Sequence, residues 1–434
     1  MRSPILLPLL ILLAGAGWAL DRRVSLIDES RILPSEHPAI GYWEAEPDDA
    51  IARLQQRLEA GQTRLAFHEE LGYLPAVLEE LDVAQSSQVL VFSKTSFQAA
   101  RIYPRAPRAI YHNEDVSVGW VRGGDVVEIA SVDPKLGVVF YTLDQMRTPR
   151  PRFRLRTTEC ISCHVGPASS GVPGLVVRSV HPDSSGTPER APSFITDHRS
   201  PLSERWGGWY VSGLHGSQTH LGNVTFQRGR VSITLSGDRA DNIENLRRYI
   251  SPYQYLRTTS DIVSLMTLEH QTRMTNLITR LGYETRMALH DHPEARELDA
   301  FPAETATNIR NAAEELLRYM LFTDEAPLEE PVQGSSGFAE AFEARGRRDS
   351  KGRSLHQLDL QTRLLRYPCS YLIESEAFEA LPEPAKGLVY RRLWDVLHGR
   401  GEAGVYGSLS AEDRRAILEI LLETKPDLPD YWRS

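Results

Sequence analysis

The stretch from Val116 to Asp144, VSVGWVRGGDVVEIASVDPKLGVVFYTLD, decides the fold class. Its three runs, Val116–Val121, Val126–Val132 and Val138–Leu143, are short and rich in Val, Ile, Tyr and Phe. Such side chains fit a pleated, half-buried surface. Arg122-Gly123-Gly124-Asp125 is a hairpin signal between the first two runs, and Asp133-Pro134-Lys135-Leu136-Gly137 is a second turn. Together they predict an antiparallel meander.

Outward from the meander, Val89–Phe92 reads as an earlier strand, and Leu175–Val180, Trp209–Ser212, Val224–Gln227 and Val231–Leu235 as later ones. Near the start, Asp48 and Asp49 suit a helix N-cap for Ala50–Ala60, with Ile51, Leu54 and Leu58 on one face and Gly61 as a stop. A second short helix is predicted over Pro75–Leu81. From about residue 241 the pattern turns helical, at Asn242–Ile250, Asp261–Leu281, Ala303–Phe322, Leu355–Leu365, Ala385–Leu397 and Ala411–Thr424. The acidic, Pro/Gly/Ser-rich Thr323–Gly337 suits a linker or a surface loop. Strands first and helices after favour an α+β fold over alternating βαβ units. The expected organisation is a β-rich region over residues 20–240 that carries the cofactor-attachment segment Cys160–His164, and a helical region over 241–434 that packs over the cofactor.

Composition agrees with a folded globular chain: of 434 residues, 41% are hydrophobic and 25% charged, which excludes disorder and collagen. A net charge of −9 argues against nucleic acid as the main partner. Residues 1–19, MRSPILLPLLILLAGAGWA, carry one Arg, an apolar core and small residues before the expected cleavage point. They read as a secretory signal peptide, so the mature chain is expected in the periplasm or secreted, without a membrane span.

Thirteen His stand against only three Cys, too few to staple a chain of this length. Two of the cysteines form Cys160-Ile161-Ser162-Cys163-His164, a C-x-x-C-H pattern expected by chance in fewer than about one in a thousand chains of this composition. Two thiols at this spacing match the two vinyl groups of a haem, and the adjacent His can face the iron. A redox dithiol needs a βαβ surround that the flanks do not supply. A structural zinc needs four ligands, and only Cys369 remains to add sulfur. Cys369 itself suits a buried core position.

Through Cys160, Cys163 and His164 the chain resembles the c-type cytochromes. The resemblance implies one covalent haem c, with Cys160 and Cys163 as thioether sites and His164 as an iron ligand. The flanks, from GWVRGG through ECISCHVG to RWGGWYVSGLHG, are similar to uncharacterised exported bacterial mono-haem proteins.

The far side of the iron separates two readings. His270 lies on the apolar face of Asp261–Leu281, in step with Ile262, Met266, Met274 and Leu277, and is the first candidate for a second metal ligand. That reading gives electron transfer with a redox partner protein. His215 and His220, in the Gly-rich loop after Trp206, Trp209 and Tyr210, suit the distal side of an open site. That reading gives a peroxidase- or oxygenase-like haem enzyme. His112 and His181 are weaker candidates. Arg147, Arg150, Arg152, Arg154 and Arg156 form a ladder that could hold haem carboxylates, steer an acidic partner or blunt an edge strand. Gly399–Gly404 matches G-x-G-x-x-G but follows a predicted helix, so a dinucleotide site is discounted.

Overall fold

The computed structural model describes residues 25–189, 193–227, 230–233, 242–251 and 253–433. The expected signal peptide, residues 1–19, lies outside them. Strands β1 (Val89–Val91), β2 (Arg108–His112), β3 (Val116–Trp120), β4 (Val126–Asp133), β5 (Gly137–Asp144) and β6 (Phe153–Leu155) follow one another. Later come β7 (Arg178–Ser179), β8 (Phe194–Ile195), β9 (Trp209–Tyr210), β10 (Val224–Gln227) and β11 (Arg230–Ile233). Seven strands build one antiparallel sheet in the order β6-β5-β4-β3-β2-β1-β9, while β7 with β8 and β10 with β11 form separate ribbons. The longest pairing joins β4 to β5, from Val126 opposite Asp144 to Asp133 opposite Gly137. Gly137 closes that turn at φ +79°, where a side chain would be strained.

Alternation along the strands gives the sheet two covered faces. Val118, Val127, Ile129 and Tyr141 pack with Ile51 and Leu54 of helix α1 (Ala50–Glu59) and Val77 of α2 (Leu74–Glu80). On the other face, Ile110 and Val132 pack on the helical core, and Ala130, Val138 and Phe140 meet the chain just after β6. That chain forms the single-turn helix α3 (Ile161–His164).

The helical half contains α4 (Ile262–Asp291), α5 (Ala303–Met320), α6 (Phe338–Arg345), α7 (Glu376–Glu379), α8 (Glu383–Leu397), α9 (Ala403–Tyr406) and α10 (Ala411–Thr424). The α4 helix is the axis of the molecule, about 45 Å long and buried on nearly every side. Its N-terminus is capped by Asp261, whose carboxylate accepts from the amides of Val263 and Ser264. Its polar residues survive burial because they are paired: Glu269 with Arg205 at 3.2 Å and Arg280 with Glu284 at 3.1 Å. No described helix is long and apolar enough to cross a membrane.

The α+β architecture is the expected one, with several local corrections. Asn242–Ile250 forms turns instead of a helix, closed by the amides of Tyr249 and Ile250 on the Leu246 carbonyl. Leu355–Leu365 is a turn in which Leu358 bridges Leu365, with the Asp359 carboxylate collecting the amides of Gln361 and Thr362. Its apolar spacing marks the two arms of a loop, not one helix face. The helix begun near Asp261 runs on to Asp291. Leu175–Val180 yields only the short β7, and Leu235 of the expected last strand lies outside the described residues. Thr323–Gly337 is a packed loop: the Leu328 and Val332 amides bond Thr362 and Leu360, and Gln333 pairs with Leu214. Gly399–Gly404 leads from α8 into α9 with no strand before it.

Candidate functional site

The site begins where β6 ends. The Arg156 amide bonds the Phe140 carbonyl at 2.8 Å, and the chain turns back over the sheet. The amides of Cys163 and His164 both donate to the Cys160 carbonyl, at 3.1 and 3.0 Å. One turn therefore carries both thiols and the imidazole, with Cys160 and Cys163 three residues apart on one side. Both cysteines are free thiols. Cys160 is half-buried against Ala130, Val138 and Phe140, whereas Cys163 is exposed.

His164 is held from three sides. Its Nδ1 lies 3.0 Å from the Gly174 carbonyl, and the Gly174 amide donates back to the His164 carbonyl at 3.0 Å. A carbonyl can only accept, so Nδ1 carries the ring proton and Nε2 keeps the lone pair. The Phe140 ring lies 4.6 Å from the imidazole, centroid to centroid. Burial lowers the His164 pKa and keeps the ring neutral.

Gly174 is itself fixed by α4. A Cβ at this position would collide with Asn276 Oδ1, and Asn276 Nδ2 donates to the Leu175 carbonyl at 2.8 Å. A chain of direct contacts thus runs from His164 through Gly174 and Leu175 to the central helix. Beside it, Arg108 and Glu128 pair at 2.6 Å across Gly119, whose missing side chain makes room for the guanidinium. Ser96 and Gln98 also donate to the Glu128 carboxylate, at 3.2 and 3.0 Å.

The donor set distinguishes the possible chemistries. A redox dithiol uses a thiol whose pKa is depressed. Burial, with Glu128 and Glu159, pushes the Cys160 thiol up to about 11. A structural zinc held by these thiols would need two more protein ligands beside them. Among the described residues, the one group of three or more metal-ligating side chains is His37, His290 and Asp291, and Cys369 is buried in the helical core. Two unbridged thiols beside a neutral imidazole with Nε2 as its lone-pair nitrogen fit a covalent haem.

The residues expected to face His164 across a haem have partners of their own. His270 is fully buried, with Nδ1 2.8 Å from His198 Nδ1 and Nε2 2.8 Å from Ser370 Oγ. Phe322 and Tyr319 stack on its ring at 4.4 and 5.4 Å. At about 100° per residue, Asn276 lies about 120° from it around α4, Thr275 about 140° and Thr279 about 180°. Asn276 bonds Leu175, while Thr279 abuts Gly137 at the end of the sheet. His270 thus faces the helical core, a different side of α4 from the Asn276 face that holds Gly174 and Leu175. The apolar periodicity placed His270 correctly on a buried face, but that face belongs to the helical core.

His215 and His220 do come together, with ring centroids 4.9 Å apart and Trp206 5.6 Å from His220. Their loop leaves β9, five strands across the sheet from β5, or roughly 24 Å. His215 Nδ1 is engaged by the Gln218 carbonyl, and His220 Nδ1 accepts from the Gly222 amide. His112 is buried with its nitrogens on Ser264 and Gln271, and His181 packs on Phe226. Met266 and Met274 are core residues. The arginine ladder is largely neutralised: Arg147 pairs with Glu69, Arg152 with Glu59, Arg154 with Asp144 and Arg156 with Glu159.

Gly174, Asn276, Phe140 and the Arg108–Glu128 pair escaped the sequence reading. Only the G-V-P-G stretch at Gly171–Gly174 hinted at close backbone approach. The chain matches no family model, no curated protein and no solved structure.

Proposed function

We propose that this chain is an exported redox protein that carries one haem c through Cys160 and Cys163, with His164 as axial ligand. The observation that carries this reading is the His164–Gly174 bond beside two unbridged thiols. It fixes the tautomer that leaves Nε2 for iron and strengthens that nitrogen as a donor. A haem held there supplies one-electron chemistry.

The chain's own contribution follows from where the two thiols sit. Cys160 is seated on Ala130, Val138 and Phe140, which keep water from one side. Cys163 faces solvent, so a haem bound through it would be open on that side to a partner protein. That asymmetry supports electron transfer. Support for the second reading, a haem c enzyme, comes from the partners that His270 already has, His198 on Nδ1 and Ser370 on Nε2.

Spectra of the oxidised, reduced and carbon-monoxide-treated protein separate the two. A low-spin iron indifferent to carbon monoxide supports electron transfer. An iron that takes up carbon monoxide supports the enzyme reading. A colourless exported protein would sink both.

A further inference from the structure

A second constellation lies at the far end of α4, built from residues distant in sequence. The helix ends at His290-Asp291, and the N-terminal segment brings His37 against it. His37 Nε2 lies 3.3 Å from Asp291 Oδ1, and His290 Nδ1 lies 3.1 Å from the same oxygen. The two imidazoles meet edge-on, with centroids 5.1 Å apart and planes at 81°. One ligand atom from each of the three residues falls within 4.8 Å of the others.

The geometry points to a divalent transition-metal site of the zinc class at His37, His290 and Asp291. A tetrahedral ion with bonds of about 2.0 Å separates its ligand atoms by about 3.3 Å, which both measured separations approach. Two imidazoles and one carboxylate favour zinc, copper or nickel over calcium or magnesium, which prefer all-oxygen shells. The C-terminal end of a thirty-residue helix adds partial negative charge on the same side. Water fills the remaining position, since His290 and Asp291 are exposed.

Binding also has a local cost. The Ala39 amide donates to His37 Nδ1 at 3.2 Å, so uptake of an ion at Nε2 moves the ring proton to Nδ1 and breaks that long bond. In return the ion ties the segment around residue 37 to the end of the central helix.

The test is Zn²⁺ titration calorimetry on the full chain against a H37A/H290A/D291N variant, with melting curves of both. Any zinc held by the thiols of Cys160 and Cys163 appears in both proteins and cancels. The expected result is one additional equivalent in the wild type, and a Zn²⁺-dependent rise in melting temperature that the variant lacks. Equal stoichiometry in the two proteins overturns the site. Should the triple variant fail to fold, the exposed substitution H290Q decides: it must weaken zinc binding at least about tenfold. Unchanged affinity in that variant would mean a plain His–Asp–His hydrogen-bond cluster.

Discussion

His164 and Gly174 hold each other twice, ring to carbonyl and amide to carbonyl, each at 3.0 Å. The first bond sets the tautomer of the candidate iron ligand, and the second sets the position of its backbone. Since Gly174 leans on Asn276, the ligand is oriented through the central helix as well as by its own short turn.

Gly174→Ala should therefore act at a distance from the thiols. The added methyl has to displace Asn276, at a stability loss of about 1–3 kcal/mol. The carbonyl holding His164 shifts with it. The haem-loaded variant should show a lowered melting temperature and a changed reduction potential. An unchanged potential would detach Gly174 from the control of His164.

His270→Ala should leave the haem spectrum as it is and cost stability instead. The substitution removes a fully buried ring that stacks on Phe322 and Tyr319 and takes one hydrogen-bond partner from each of Ser370 and His198. A loss of about 2–4 kcal/mol in denaturant unfolding is expected. A changed low-spin spectrum would restore His270 as a ligand.

In the haem-free chain, thiol alkylation should follow exposure and pKa. Cys163 should react first, Cys160 more slowly because burial pushes its thiol up to about 11, and Cys369 only after unfolding. Peptide mapping after brief iodoacetamide treatment reads the order. A fast Cys160 would revive the redox-dithiol reading.

His112 gives a pH signature. Burial lowers its pKa to about 4, below the ordinary 6.5 of the unfolded chain. The unfolded state therefore binds the proton first on acidification. The stability that His112 contributes is complete above pH 6.5 and is lost as the pH falls towards 4, at about 1.4 kcal/mol per pH unit. Measured against His112→Gln at pH 7 and pH 5, the wild type should lose the more. Parallel losses would mean that His112 takes up its proton equally in both states.

The meander was readable because runs of Val, Ile and Tyr are separated by turns marked by Pro, which fixes its backbone, and by Gly, which alone takes the left-handed conformation without strain, and the C-x-x-C-H turn because its spacing is rigid. His270 shows where reading stops. A stripe of apolar residues reveals that a helix face is buried, but not which neighbour buries it. Leu355–Leu365 fails for a related reason, since leucines on two arms of a turn mimic helical spacing. Gly174 and Asn276 meet only through the tertiary fold, 102 residues apart in number, and no local pattern joins them. The arginine ladder reads as a positive stripe only until its carboxylate partners, some from α1 and the loop before α2, are seen beside it.

Covalent attachment at Cys160 and Cys163 is tested most directly by the intact mass of the denatured protein. The wild-type chain should carry the mass of one haem, retained after denaturation, and a C160S/C163S variant should carry none. A wild-type mass equal to that of the polypeptide alone, from cells that attach haem c to a control cytochrome, would contradict the account.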